Sequence, residues 1–282
     1  MPYLAPTSAA DALSALAAGG LRVVAGCTDV YPSLRPGDTL DAVLDVSGVS
    51  EWRGIKETSD GWRIGAATTW TEIVRAPLPP AFDALKQAAR EVGSIQIQNS
   101  ATLGGNLCNA SPAADGVPPL LALEAEVEIA SAPEASTRRV PLADFITGVR
   151  QVDLAPGELL AAIHIPRDAT GGGSAFEKLG ARKHLVISIA MVAAVIDCST
   201  SGRIAKARVA VGSCSPVARR LPALETRLIG LSPDDLSDAT LEDPVLYAPL
   251  APISDVRGTD AYRRDAVPEL CRRAVRAACV ED

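Results

Sequence analysis

From Ser100 to Pro119 the chain runs through Gly, Asn, Ser, Ala and Pro with little periodicity, and patterned apolar segments stand on either side of it. An irregular stretch of that length is uncommon inside a compact domain and often has a functional reason. On its own pattern the stretch is expected to be a loop. Upstream, residues 80–92 (PAFDALKQAAREV) place Phe82, Leu85, Ala89 and Val92 on one face of a helix. Downstream the apolar chain resumes at once in LLALEAEVEIAS. Residues 124–130 and 138–141 suggest a hairpin, and 159–165 a further strand ended by Pro166.

The rest of the chain is organised around that segment. Residues 8–18 read as a helix with Ser8 as cap and Gly19–Gly20 as stop. LRVVAG is a short strand ending at Gly26, and residues 40–46 are another, so a small α/β unit is complete by about residue 56. GWRIGAA, residues 61–67, has strand character, and Thr68 or Thr69 caps a helix containing Trp70–Arg75. Gly171–Gly172–Gly173 is the clearest boundary. Beyond it, Ala175–Leu179, 187–197 and 203–211 are strand-like, with a hairpin turn at Ser199–Gly202. Helices are expected at 218–230, at 232–239 with Ser232 as cap, and over the amphipathic tail 260–279. The expected domains are 1–170, with subdomains 1–56 and 57–170, and an α+β domain at 174–282.

Hydrophobic residues make up 48% of the 282, but aromatics only 4%, so the core must be built mostly from Ala, Val, Leu and Ile. The net charge of −7 argues against nucleic acid as a partner. The arginine pairs 138–139, 219–220, 263–264 and 272–273 read as solvated surface. No apolar run is long enough for a membrane span, and the N-terminus lacks a basic leader, so a cytoplasmic protein is expected. The six cysteines show no C-x2-C spacing, and His164 and His184 are the only histidines. That speaks against iron–sulfur, zinc and Ser–His–Asp chemistry in this chain. No catalytic residue and no metal ligand is assigned to it. G-x-G-x-x-G, the P-loop and G-x-S-x-G are absent as well.

Two segments remain as carriers of chemistry. VVAGCTDV, residues 23–30, takes a strand into Gly26, where the backbone can approach an anion closely; Thr28 adds a hydroxyl, and Asp29 can stiffen the turn. ATLGGNLCNASPAAD, residues 101–115, offers Gly104–Gly105 for close approach, with Thr102, Asn106, Asn109 and Ser111 as neutral donors. Each is also compatible with a plain structural turn. Cys27 and Cys108 lie within these segments, either as reactive thiols or, more in keeping with isolated cysteines, as small buried filler.

Read together, VVAGCTDV, IQNSATLGGNLCNASPAADGVPPLLAL, PGELLAAIHIP, FEKLGARKHLVISIAMVAAVI and VAVGSCSPVARRLPALETRLIG make the chain resemble, over nearly its whole length, the FAD-binding (medium) subunits of the molybdenum hydroxylases, the xanthine dehydrogenase and carbon monoxide dehydrogenase family. The resemblance implies an α+β fold: a vanillyl-alcohol-oxidase/PCMH-type two-part FAD-binding domain, then a small α+β C-terminal domain. It implies FAD as cofactor, with Val23, Val24, Ala25, Gly26, Cys27, Thr28, Asp29 and Val30 around the pyrophosphate. Thr102, Leu103, Gly104, Gly105 and Asn106 would close on it from the other side. It places Asp115 at the ribityl or ribose part, Val92 and Leu160 near the rings, and Lys178 close to the cofactor. From the residues alone, Lys178 is equally a surface lysine at a strand start and Leu160 simply core. Where relatives have a second glycine this chain has Cys27. Gln98 and Ala101 replace an arginine and a glycine. The implied role is electron transfer within a heteromer, from [2Fe-2S] clusters on a small chain through FAD to NAD+ or another acceptor. Substrate would be hydroxylated on a large molybdopterin chain, and the resemblance allows a dimer of such heterotrimers. A stand-alone FAD oxidoreductase and a non-catalytic flavin-binding assembly protein are the alternatives.

Overall fold

The computed structural model describes residues 3–131 and 136–279. The expected hairpin's connection and the outermost ends of the two expected domains lie outside those residues. The first unit comprises β1 (Tyr3–Leu4), α1 (Ala9–Ala17), β2 (Arg22–Val24), α2 (Val30–Ser33) and β3 (Val43–Asp45). Helix α1 begins where the Ser8 hydroxyl accepts the Asp11 amide at 3.2 Å. Strand β3 lies between β1 and β2 and runs parallel to both. Ala12 and Leu13 of α1 are buried with Leu44, Val49 and Trp52.

The next unit opens with the hairpin β4 (Ile55–Thr58) and β5 (Gly61–Gly65), then α3 (Trp70–Arg75), α4 (Asp83–Glu91) and α5 (Ile95–Ser100). Thr69, not Thr68, caps α3, in a reciprocal capping box with Glu72. The stretch expected to be a loop is partly helical, holding α6 (Leu103–Asn109) and the start of α7 (Val117–Ala122). Two adjacent glycines make α6 a poor helix by propensity. Tertiary contact overrides this: a Cβ on Gly104 would lie 2.7 Å from both Ala66 Cβ and Ala66 O, and the Gly104 amide donates to that oxygen at 2.8 Å. Only glycine lets the helix sit this close to the sheet. The unit continues with β6 (Glu126–Ser131), β7 (Ser136–Pro141), α8 (Leu142–Phe145), β8 (Ile146–Gly148), β9 (Gln151–Val152) and β10 (Glu158–Pro166). Five strands pair antiparallel in the order β4-β5-β10-β6-β7. Central β10 is apolar from Leu159 to Ile163 because both its faces are covered there. Leu160, Ile163 and Ile165 face the main core, while Leu159 and Ala161 pack toward the first unit.

The second domain is a four-stranded antiparallel sheet, β11 (Gly173–Leu179), β12 (Ala190–Cys198), β13 (Ile204–Gly212) and β14 (Arg219–Arg220), with α9 (Pro222–Leu228), α10 (Asp238–Leu241) and α11 (Asp260–Ala278). Alternation along β12 divides its side chains. Met191, Ala193 and Val195 join the first domain's core, and Val192, Ala194 and Ile196 pack with Val267, Leu270, Ala274 and Val275 of α11. The two domains therefore share one continuous core. Two expected helices are shorter than the pattern suggested. Residues 219–220 pair with β13 as strand, and the helix starts only at Pro222, whose missing N–H suits a first turn. After Ser232 a single 3-10 turn forms before fully buried Leu236 takes the chain into the core. Two of the arginines expected on the surface are not solvated. Arg263 is 3% exposed and donates to the Ile189 and Ser213 carbonyls and to Asp255. Arg220 is half-buried against Glu225 and the Leu121 carbonyl.

Candidate functional site

A cleft of about 630 Å³ opens where the β2–α2 turn, the α5–α6 region and the second domain meet. Its first wall is the turn after β2. A Cβ on Gly26 would lie 1.9 Å from the Ser100 carbonyl oxygen, so this glycine lets the turn touch the α5–α6 connection backbone to backbone. Cys27 follows in the left-handed region at φ 57°. A non-glycine residue there is strained by about 1–2 kcal/mol. A left-handed residue in a tight turn directs successive amides to one concave side. Among the described residues, the N–H groups of Gly26, Cys27, Thr28 and Asp29 donate to no other protein group. Four unspent donors in a row suit an anion.

The opposite wall is the start of α6. The Thr102 hydroxyl caps the helix by accepting the Gly105 amide at 3.0 Å. Leu103 and Gly104 spend their amides on the Thr68 and Ala66 carbonyls, so they fasten the wall from behind. Gly105 is exposed, and a Cβ there would meet only the Thr102 hydroxyl. Two polar atoms along the cleft, Trp70 Nε1 and Asn106 Oδ1, are buried without a hydrogen-bond partner. Native proteins rarely leave such atoms unmatched, so both mark places for ligand atoms.

The floor is electrostatic. Asp115 Oδ2 accepts from Lys178 Nζ at 2.8 Å, and Oδ1 accepts from the Ser188 hydroxyl at 2.7 Å. The Asp115 and Lys178 side chains are 11% and 7% exposed. Burial pushes the Asp115 carboxyl up, opposed by Lys178 and Ser188. Lys178 is thus no surface residue. Its β11 and Ser188, which precedes β12, belong to the second domain, so the pair clamps both domains at the cleft. Arg150, at φ 60°, reaches the Asn109 carbonyl at 3.1 Å along the rim. Leu185 and Ile187, each 52% exposed, bring apolar surface from the second domain to the mouth. Cys27 is half-buried and Cys108 exposed, and both line the cleft. Burial and nearby Asp45 push the Cys27 thiol up.

Val23 to Val30, Val92, Thr102, Gly105, Asn106 and Asp115 all line this one cleft. Leu103 and Gly104 lie behind it, and Lys178 stands behind Asp115. Leu160, 7% exposed, sits in β10 at a register shift, within the main core and off the cleft lining. Trp70, Arg150 and Leu185–Ile187 line the cleft although nothing in the sequence singled them out. The one available signal was the cap at Thr69, which fixes Trp70 at the first position of α3. No histidine and no tyrosine lines the cleft among the described residues.

Residues 1–168 match the family described as the FAD binding domain in molybdopterin dehydrogenase, and residues 174–278 match the CO dehydrogenase flavoprotein C-terminal domain. The chain is 31% identical over 286 residues to the putative xanthine dehydrogenase FAD-binding subunit of Escherichia coli strain K12, covering 98% of this chain and 95% of that protein. It is 30% identical over 251 residues to the nicotinate dehydrogenase FAD-subunit of Eubacterium barkeri, with 87% and 83% covered. A solved structure of reconstituted CO dehydrogenase from Oligotropha carboxidovorans contains a similar chain, with TM-score 0.89, 29% identity, and 99% and 97% covered.

Proposed function

The chain belongs to the FAD-binding medium subunits of the molybdopterin dehydrogenases of the xanthine and carbon monoxide dehydrogenase type, and from that premise we propose that it is the electron-transfer flavoprotein of a heteromeric molybdenum hydroxylase. FAD is the cofactor of its family, and the cleft suits FAD on its own evidence. Its volume lies within the usual range of cofactor sites. The amides of Gly26 to Asp29 are unspent, and Trp70 Nε1 and Asn106 Oδ1 lack partners. That set of unsatisfied groups, strung along one cleft between two domains, is the observation that carries the reading.

The Gly26–Asp29 amides hold the pyrophosphate, with Thr28 and exposed Gly105 closing on it. Asn106 and the Asp115–Lys178 pair address the ribityl and ribose hydroxyls. Val92, Leu185 and Ile187 cover the apolar ring system and keep water from it. Leu103, Gly104 and Leu160 contribute through packing. Bound FAD supplies uptake of two electrons and their release singly or as a pair. An iron–sulfur chain delivers the electrons, and a molybdopterin chain hydroxylates the substrate. NAD+ or another acceptor docks in the adjoining hollow of about 650 Å³, where Arg90, Arg182 and Lys183 supply positive charge. No histidine or tyrosine lines the cleft among the described residues, and no observation favours a stand-alone oxidase.

The test is direct. The purified chain is expected to carry FAD in a one-to-one ratio, released as free FAD on denaturation. Tagged and expressed with its neighbouring reading frames, it is expected to bring down iron- and molybdenum-containing chains. Failure to take up flavin after refolding with excess FAD refutes the cofactor assignment. A flavin-loaded chain that turns over substrate alone refutes the electron-transfer role.

A further inference from the structure

Two half-buried cysteines far apart in sequence meet in the second domain. Cys198 ends β12 and continues the row Val192, Ala194, Ile196 that faces α11. Cys279 caps the C-terminus of α11, four residues after Val275 and eight after Cys271, and so lies on the helix face that packs against that row. Both thiols pack on the same core cluster. The backbone fixes their approach. Gly173 pairs with Ile196, and a Cβ on Gly173 would stand 2.5 Å from the Ala278 carbonyl oxygen. A Cβ on Gly172 would likewise stand 2.0 Å from the Ile196 carbonyl oxygen. The end of α11 is thereby pinned against the end of β12, which brings Cys279 and Cys198 to the same corner of the second domain.

We propose that Cys198 and Cys279 form a reversible dithiol–disulfide site that fastens the end of α11 to β12 beside the Gly171–Gly173 junction of the two domains. The oxidant is a hydroperoxide such as hydrogen peroxide. The Cys198 thiolate attacks one peroxide oxygen, the O–O bond breaks, and Cys198 becomes a sulfenic acid while the first water leaves. The Cys279 sulfur then displaces the hydroxyl from the Cys198 sulfur, the S–S bond forms, and the second water departs. Two thiols lose two protons and two electrons, and one peroxide is reduced to two waters. Burial, together with the neighbouring Cys198 sulfur, pushes the Cys279 thiol up to about 12, so Cys279 holds its proton and is the poorer attacker of the peroxide. A thiol reductant reverses the reaction by exchange. The ring closed by this bond includes β13, β14, α9, α10 and α11, so the oxidised form restrains much of the second domain's unfolded chain.

The experiment treats the full flavin-loaded chain with a small molar excess of hydrogen peroxide, blocks remaining thiols, and maps peptides by mass without reduction. The expected result is one cross-linked peptide pair joining Cys198 and Cys279, lighter by two hydrogens and lost on reduction. Thermal denaturation is expected to shift upward by roughly 5–10 °C. Cys198→Ser and Cys279→Ser should each abolish both the cross-link and the shift. Mapping of the wild-type chain decides the matter even if a variant folds poorly. Sulfinic acid at either residue without a cross-link overturns the proposal, and so does a cross-link confined to Cys214 and Cys271.

Discussion

The contact between the two cleft walls makes Gly26→Ala the sharpest single perturbation. An alanine Cβ at this position would lie 1.9 Å from Ser100 O, 2.4 Å from the Ser100 carbonyl carbon and 2.9 Å from Ala101 Cα. These are backbone atoms, and they cannot swing aside. Ala101 is tied by its amide to the Ile97 carbonyl at 2.7 Å and by its carbonyl to the Trp70 amide at 3.2 Å. The walls must separate by about 1.5 Å before the methyl reaches ordinary contact distance. Overpacking of this kind costs about 1–3 kcal/mol. The same displacement carries the amides of residues 26–29 away from the pyrophosphate. A hydrogen bond to a charged group contributes about 1.5–3 kcal/mol, so losing one weakens FAD roughly 10- to 150-fold. Gly105→Ala is the matched control. Its Cβ meets only the Thr102 hydroxyl, at 3.0 Å, and alanine suits a helix interior better than glycine. Urea denaturation of the apoprotein and FAD titration by flavin fluorescence separate the two variants. Gly26→Ala should lower both stability and affinity, whereas Gly105→Ala should keep stability and lose affinity by crowding the ligand. A Gly26→Ala protein with an unchanged urea midpoint and FAD affinity within twofold of wild type would falsify the backbone-contact argument.

Lys178→Met leaves Asp115 buried without its cation and is expected to destabilise the chain by about 3–5 kcal/mol; the double variant with Asp115→Leu should recover part of this, as thermal unfolding can show. Trp70→Phe removes a buried donor that lacks a partner but also shrinks a fully buried side chain, so stability should fall by about 0.5–3 kcal/mol while FAD affinity falls about 2- to 10-fold by titration; equal affinity rules out a contact to Nε1. Cys27→Gly relieves left-handed strain but frees the unfolded chain, so the stability from urea unfolding should change by less than about 1 kcal/mol with FAD retained; a large loss of FAD would give the thiol a role of its own. Glu128 is held down to about 2, chiefly by its hydrogen bond from His164 and also by Arg63, against burial. A carboxylate depressed in the folded state adds stability above its unfolded value of 4.5, and loses it as pH falls from there to about 2. Glu128→Gln should therefore flatten acid unfolding in that window when followed by circular dichroism, and an unchanged slope excludes this network as the source.

Local pattern carried much of the architecture. Ser8 and the Trp70–Arg75 helix start announced themselves through short-range capping chemistry, which needs only neighbours in sequence. The long apolar runs at 159–165 and 187–197 were legible as strands, although period alone could not say that both faces of each are buried. The 101–115 segment shows where local reading stops. Its glycines argued for a loop, yet Gly104 makes a helix feasible because Ala66, from another part of the chain, leaves no room for a side chain.

The sequence by itself determined where the backbone can come close: glycine at 26 and 104 permits contacts that any Cβ would forbid, and that freedom is a property of the residue type. Only the tertiary structure decided what those contacts enclose. It set the free amides of residues 26–29 opposite α6, buried Lys178 against Asp115 across the domain boundary, and brought Trp70, Arg150 and Leu185–Ile187 to the same cleft. The physical reason is that burial and pairing depend on which distant surfaces share a core, and that sharing is written in no single stretch of the chain.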